Sequence, residues 1–280
     1  MELSKKLDDS SVDLTITSPP YADTLSYGWD ITTYDEGDYA EWFLPLAKEL
    51  YRATKERGSF ILNINDRVMD GSRSIYVMDL ICRLVRETEW TLLDRYIWSK
   101  KSGLPMGKTW PNHCRLDDKI EYIFHFIKTR KNFKYNMDAV REPYAPISIA
   151  RMKGTIPENL HKKVDEDGIG TLKGERRIAP HPKGKIPTTV FGFQTAGTIR
   201  GHKHPAAFHP NLPRWFINWL TDPDDVVLDP FIGSGSTAVA CKEEGRNWIG
   251  FDLNESYKEL IESRITAAEI KSDLTEFLEE

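Results

Sequence analysis

Val12-Asp13-Leu14-Thr15-Ile16-Thr17-Ser18-Pro19-Pro20-Tyr21 is a β-branched, alternating run that stops on two prolines. The run predicts a strand ending at Thr17, because alternation rich in valine, isoleucine and threonine fits a pleated, buried surface. In α/β sheets the crevice beyond such strand ends is where ligands sit. Consecutive prolines donate no backbone hydrogen bond and hold φ nearly fixed, so Ser18 and the Pro19 carbonyl become rigid acceptors facing outward. Tyr21, just after Pro20, adds a flat aromatic face. Acceptors beside an aromatic plate suit a flat ring with an exocyclic amino group: the acceptors take the amino hydrogens while the ring stacks. Taken alone, a Pro-Pro pair is more often a polyproline turn leaving a strand.

A second strand end changes that balance. Val226-Val227-Leu228 leads into Asp229-Pro230-Phe231-Ile232-Gly233-Ser234-Gly235-Ser236-Thr237, and Ala238-Val239-Ala240 follow as the start of a helix. Strand, glycine turn and helix make a nucleotide cradle, since glycines let a ligand approach the backbone at a helix N-terminus. Trp248-Ile249-Gly250-Phe251 is the next strand and runs into Asp252, an acid placed about 20 positions beyond the glycines, where a ribose hydroxyl acceptor belongs. Gly233, Gly235 and Ala238 also satisfy a dinucleotide fingerprint, so a nicotinamide-dependent oxidoreductase is a rival. Against it, Asp229 would set a carboxylate near the ligand, which suits a cationic amino-acid moiety better than a pyrophosphate.

Composition narrows the class. Of 280 residues, 40% are hydrophobic and 29% charged, enough to bury a core and too apolar for a disordered chain. No apolar run approaches the roughly 20 residues that span a bilayer, and Met1 to Lys6 opens no signal peptide, so a soluble, cytoplasmic protein is expected. Cys82, Cys114 and Cys241 form no C-x-x-C pair, which argues against a zinc site or a disulfide framework. The net charge of -5 is unevenly spread: Arg95 to Pro210 carries 22 Lys+Arg against 10 Asp+Glu, a balance of +12, and all seven histidines. A basic middle in an acidic frame suggests a face that meets a polyanion.

Along the chain, Tyr34 to Glu56 is expected to be helical until Gly58 ends it, with a buried strand from Ser59 whose end is abruptly polar: Asn63, Asn65 and Asp66 either line the site or, by default, form a solvated strand end. Ser74 to Glu87 is a further helix, Trp90 to Trp98 and Lys119 to Phe126 further strands, and the alternation implies a parallel, doubly wound sheet. Met137 to Arg200 is punctuated by prolines, glycines and basic residues and keeps no long period, which marks an inserted recognition region. A helix through Trp215, Phe216, Trp219 and Leu220 restores regularity, and the tail from Glu255 is helical and acidic.

These motifs, in this order, resemble the amino-group DNA methyltransferases that use S-adenosyl-L-methionine, in the beta-type class whose catalytic half precedes its cofactor half. The resemblance implies a Rossmann-like α/β methyltransferase sheet, with residues 1–136 as the catalytic half, 137–200 as the inserted target-recognition region and 201–280 as the cofactor half. It implies catalytic roles for Ser18, Pro19, Pro20 and Tyr21. Cofactor contacts are implied for Asp229, Pro230, Phe231, Gly233, Ser234, Gly235, Ser236, Thr237 and Asp252, with His204, Pro205 and Phe208 closing over them. Trp98, Lys100 and Pro105 follow a family pattern, and Lys100, Lys183, Lys185, Arg200 and Lys203 are the expected DNA contacts. The partner implied is double-stranded DNA; a cognate restriction endonuclease and a homodimer stay open.

Serine at the first motif position resembles the cytosine-N4 subgroup, with adenine-N6 transfer as the alternative and an inactive DNA-binding subunit as a third. Carbon-5 methylation needs a cysteine nucleophile in a Pro-Cys motif, which the chain lacks. The strands ending at Thr17 and Asp229 should lie side by side. The family's strand ahead of the catalytic strand has only Met1 to Ser10 to draw on, which leaves one sheet edge short.

Overall fold

A computed structural model describes residues 6–22, 37–66, 68–69, 72–100, 118–152, 180–192 and 210–276. The chain runs β1 (Val12–Thr17), α1 (Tyr39–Ala53), β2 (Thr54–Ile64), a small hairpin of β3 (Val68–Met69) and β4 (Ser72–Arg73), α2 (Tyr76–Glu87), β5 (Thr91–Ser99) and β6 (Ile120–Ile127). It continues through α3 (Pro146–Met152), β7 (Val190–Phe191), α4 (Asn211–Leu220), β8 (Val226–Asp229), α5 (Ser236–Glu243), β9 (Asn247–Gly250) and α6 (Tyr257–Glu276). Two compact units result, Met1–Asn136 with Thr189–Glu280, and Met137–Thr188.

The larger unit is built on one seven-stranded sheet in the order β7-β5-β6-β2-β1-β8-β9. All six residues of β1 are buried, as a central strand covered on both faces must be. It pairs in parallel with β2 and with β8, in register Leu14 to Val227 and Thr15 to Leu228. The two motif-bearing strands are thus neighbours, as their motifs require. The sheet is not wholly parallel: β6 runs antiparallel to both β2 and β5. The reversal brings the first residues of β6 to the ends of β1 and β2, where Tyr122 faces Ile64. Among the described residues β9 is the edge strand beside β8.

Helix α1 buries Phe43, Leu44, Ala47 and Leu50, a stripe at helical spacing that packs with α2 and the sheet. It ends earlier than its polarity suggests. At Ala53 the chain turns directly into β2, and the Thr54 hydroxyl donates to the Leu50 carbonyl at 2.6 Å. Gly58 lies inside that strand rather than at the helix end, and a Cβ there would stand 2.7 Å from the Asp13 carbonyl oxygen. Glycine therefore serves close approach of β2 to β1. Asp13 is buried in β1, where its carboxylate accepts the Val226 N–H at 3.0 Å and pairs with Lys55 at 2.7 Å and Lys134 at 3.6 Å. No helix among the described residues is long and apolar enough to cross a membrane.

In the smaller unit, Glu142 and Lys185 form an isolated antiparallel bridge and their side chains pair at 2.7 Å. Gly184 sits at φ +104, where a Cβ would come 2.2 Å from the Glu142 carbonyl oxygen, so glycine is required there. The Arg141 guanidinium donates to the Gly184 carbonyl at 2.9 Å.

His125 is fully buried in β6, with Nδ1 3.2 Å from the Tyr96 hydroxyl and Nε2 3.0 Å from Ser59 Oγ. Burial pushes its pKa down to about 3, so the folded chain keeps it neutral while the unfolded chain protonates it below about 6.5. Stability from this group is present above that value and is lost as pH falls toward 3. At pH 5 the loss is about 2 kcal/mol. His125→Gln should remove this component, so that chemical denaturation at pH 7 and pH 5 differs less for the variant than for the wild type. An unchanged difference would refute the assignment.

Candidate active site

The site grows from the bond between its two strands. At the end of β1 the Thr17 hydroxyl donates to Asp229 Oδ1 at 2.7 Å, and at the start of α5 the Thr237 hydroxyl donates to Asp229 Oδ2 at 2.6 Å. The Phe231 N–H adds a third donor at 3.1 Å. Asp229 is only 2% exposed. Burial pushes its carboxyl up to about 6, against the pull of the Thr237 and Thr17 hydroxyls and the Phe231 N–H. The sequence suggested a carboxylate aimed at a ligand's amino-acid end. Instead Asp229 spends both oxygens fixing β1, β8 and the turn to one another.

Beyond it, Gly233 and Gly235 adopt φ 48 and 81, left-handed conformations that glycine takes without strain. A Cβ on Gly235 would meet Ile261 at 2.9 Å, so α6 packs against the turn directly. Asp252, half-buried after β9, accepts the Gly233 N–H at 2.9 Å and the Asn254 N–H at 2.8 Å. Arg264 of α6 donates to the Ser234 carbonyl and, at 3.0 Å, to Ser234 Oγ. Pro230 is buried, Phe231 half-buried with its ring 5.8 Å from that of Trp42, and Ser236 Oγ is buried without a hydrogen-bond partner. A glycine turn, a buried hydroxyl without a partner and the remaining lone pairs of Asp252 suit a ligand combining a polar chain with a ribose.

The other half of the site follows β1. Ser18 Oγ donates to the Tyr21 hydroxyl at 3.5 Å and accepts from Asn63 Nδ2 at 3.3 Å. The Tyr21 hydroxyl donates to Glu121 Oε2 at 2.8 Å, Asn63 Nδ2 reaches the same oxygen at 2.6 Å, and Lys100 Nζ lies 2.5 Å from Oε1. Burial first, and the Glu121 carboxylate second, hold the Tyr21 phenol well above its ordinary pKa. Pro19 is buried, and the Pro20 carbonyl is held by the Tyr39 hydroxyl at 2.7 Å. The motif is thus rigid by bonding as well as by its prolines.

Asn63, Asn65 and Asp66 are not a solvated strand end. Asn63 is 3% exposed and Asp66 4%; Asn65 donates to the Ile120 carbonyl at 3.0 Å, and Asp66 pairs with Arg73. Glu121 carries no sequence motif and was not foreseen. Its signal is a lone acid at the head of an otherwise apolar strand. Lys100, expected on DNA, is bound to Glu121 inside the site. Lys183 lies 3.2 Å from Asp138 and Lys185 pairs with Glu142, both within the smaller unit. Arg200, Lys203, His204, Pro205 and Phe208 lie outside the described residues.

A family model described as DNA methylase matches residues 12–263. The chain is 31% identical over 274 residues to the type II methyltransferase M.PvuII of Proteus hauseri, spanning 92% of this chain and 79% of that protein. Among solved structures it resembles a PvuII DNA methyltransferase described as cytosine-N4-specific, with a TM-score of 0.70 and 25% identity over 94% of this chain and 82% of that one. A modification methylase from Thermus thermophilus, solved with S-adenosyl-L-methionine, shares the fold with a TM-score of 0.58 and 20% identity, over 95% and 90% of the two chains.

Thr17→Val keeps the side chain's shape and deletes its donor to Asp229. The unfolding free energy at pH 8, where Asp229 is ionised, should fall by about 1.5–3 kcal/mol. Below pH 6 the carboxyl is neutral in the folded state and the bond it loses is weaker, so the deficit should shrink. Equal deficits at pH 8 and pH 5 would show that the charge plays no part.

Proposed function

We propose an activity from the premise that the chain belongs to the DNA methylase family: transfer of the methyl group of S-adenosyl-L-methionine to the exocyclic N4 amino group of cytosine in double-stranded DNA. The observation that carries it is the Thr17–Asp229 bond, which sets the serine-proline-proline-tyrosine turn beside the glycine turn on neighbouring strands. A base-holding turn next to a cofactor turn is what a direct transfer needs. Serine at Ser18 favours cytosine over adenine as the acceptor, in keeping with the cytosine-N4-specific description of the PvuII enzyme.

When bound, the cofactor supplies an electrophilic methyl on a sulfonium. The chain's own residues do the rest. Gly233 to Gly235 and the start of α5 would hold the polar part of the cofactor, and Asp252, beyond the N–H groups of Gly233 and Asn254, would accept from its ribose hydroxyls. Ser18 and the Pro19 carbonyl take the amino hydrogens, which draws the nitrogen's lone pair out of the ring and toward the methyl group. Tyr21 stacks on the base, which must leave the duplex to enter.

We assign the span from Met137 to the target-recognition role, with Lys183 and Lys185 exchanging exposed partners for phosphates. A cognate restriction endonuclease, self-association into a homodimer and a cytoplasmic location belong to the same proposal.

Three measurements test it. Nucleosides from DNA treated with the protein and labelled cofactor should contain N4-methylcytosine; N6-methyladenine alone would overturn the base assignment, and no methylated base would overturn the activity. Ser18→Ala should lower turnover with cofactor affinity nearly unchanged, as expected of a contact that matters in the transition state. Asp252→Ala should weaken cofactor binding by about 1–3 kcal/mol in calorimetry, whereas tighter binding of NAD than of S-adenosyl-L-methionine would favour an oxidoreductase.

A further inference from the structure

Glu121 is 7% exposed and its carboxylate gathers three donors, the Tyr21 hydroxyl, the Asn63 amide and the Lys100 ammonium. Tyr21 Oη in turn accepts from Ser18 Oγ at 3.5 Å. Three oxygens therefore make a directed chain, Ser18 to Tyr21 to Glu121, from the residue assigned to the amino group down to a buried carboxylate. Folding alone does not call for it. Burying a carboxylate costs several kcal/mol, and the strand Ile120–Ile127 is otherwise filled mostly with apolar residues.

Resting on the methyltransferase reading above, we propose that Glu121 is the terminal proton acceptor of methyl transfer, reached through Ser18 and Tyr21. In the transfer the nitrogen lone pair forms the N–C bond while the S–C bond breaks and its electron pair returns to sulfur. The sulfonium becomes a neutral thioether, and the methylated amino group is left with one proton and one positive charge to shed. That proton passes to Ser18 Oγ as the Ser18 hydroxyl proton moves to Tyr21 Oη and the Tyr21 proton moves to Glu121 Oε2. Both hydroxyls are restored, the base is neutral and Glu121 is a carboxylic acid. The high pKa of Tyr21 means that it hands on one proton as it takes another, without standing as a phenolate. Lys100, partly exposed, pairs with the other carboxylate oxygen, Oε1.

Among the described residues, Tyr21 from the turn after β1 and Lys100 after β5 bond to Glu121, and Tyr76 of α2 acts on Tyr21 through space. Arg73 of β4 is held by Asp66 after β2 and Asp118 before β6. His125, further along β6, stays neutral at working pH.

The test is single-turnover methylation of unmethylated genomic DNA by the full chain with tritiated S-adenosyl-L-methionine. Absence of transfer by the wild type would sink the methyltransferase reading itself; the relay is judged only against a wild type that transfers. Tyr21→Phe keeps the ring and cuts the chain, and Glu121→Gln keeps the shape and removes the acceptor. Each should slow transfer by about a hundredfold or more, with cofactor affinity within about twofold, and the double variant should be no slower than the slower single. Glu121→Asp, which restores a carboxylate, should recover part of the rate that Glu121→Gln loses. Tyr21→Phe at the wild-type rate, or losses that multiply in the double variant, would overturn the relay. Should Glu121→Gln fail to fold, the rate of Tyr21→Phe decides alone.

Discussion

The buried carboxylate of Asp229 is the constraint on which this architecture turns. Strand register is usually set by which residues would be exposed after a slip. That device fails for β1, because both of its faces are covered and all six residues are buried. A shifted β1 would be no wetter than a correct one. Polar bonds must then fix the register: Asp13 accepts the Val226 N–H near the start of the strand pair, and Thr17 donates to Asp229 at its end. The raised Asp229 pKa shows that burial costs more than the three donors return, so the carboxylate is kept for position and not for stability. Because Thr237 shares it, the same group fixes the helix start that follows the glycine turn.

Reversal of β6 is the second decision of the fold. A parallel strand there would carry Glu121 to the far end of the sheet. Running antiparallel, β6 delivers it beside Asn63 and Tyr21, and β5 brings Lys100 to the same place. The two halves of the site thus differ in kind. The glycine half is made of consecutive backbone, whereas the serine-proline half is assembled from side chains on four separate segments.

That difference explains what the sequence disclosed. The glycine turn, Asp252 and the Ser18 to Tyr21 turn are local patterns whose chemistry can be read from adjacent residues. The neighbouring strands followed from the order of those motifs. Glu121 was hidden because its meaning depends on a strand partner about 60 residues away, and strand direction leaves no local trace. The pairing of Lys100 with Glu121 was hidden for the same reason: a lysine after a strand looks like any phosphate contact until its buried acid is known. Gly58 was misjudged in the opposite way, since a glycine after a helix pattern signals a stop, while here a neighbouring carbonyl excludes any side chain. Asp229 was legible as a site residue, but its bonds to Thr17 and Thr237, which tie the strand pair to the turn, were not.

Buried polar atoms without a partner give a last, independent view of the site. Asn63 Oδ1, Asn65 Oδ1 and Asp66 Oδ2 are such atoms at the end of β2, and Ser236 Oγ is another where α5 begins. Each costs about 1–3 kcal/mol when left unsatisfied, and a core selected for stability alone would fill these positions with apolar groups. These four lie at the two halves of the site, three beside the serine-proline turn and one beside the glycine turn, while Thr15 Oγ1 inside β1 and Arg214 Nε and Trp219 Nε1 on α4 are buried without a hydrogen-bond partner elsewhere. A gathering of such atoms at a site is expected where the fold serves a ligand's hydrogen bonds ahead of its own. The three atoms at the end of β2 are independent of the motifs, since neither asparagine nor Asp66 belongs to one, yet they lie beside the end of β1 that the Thr17–Asp229 bond holds to β8.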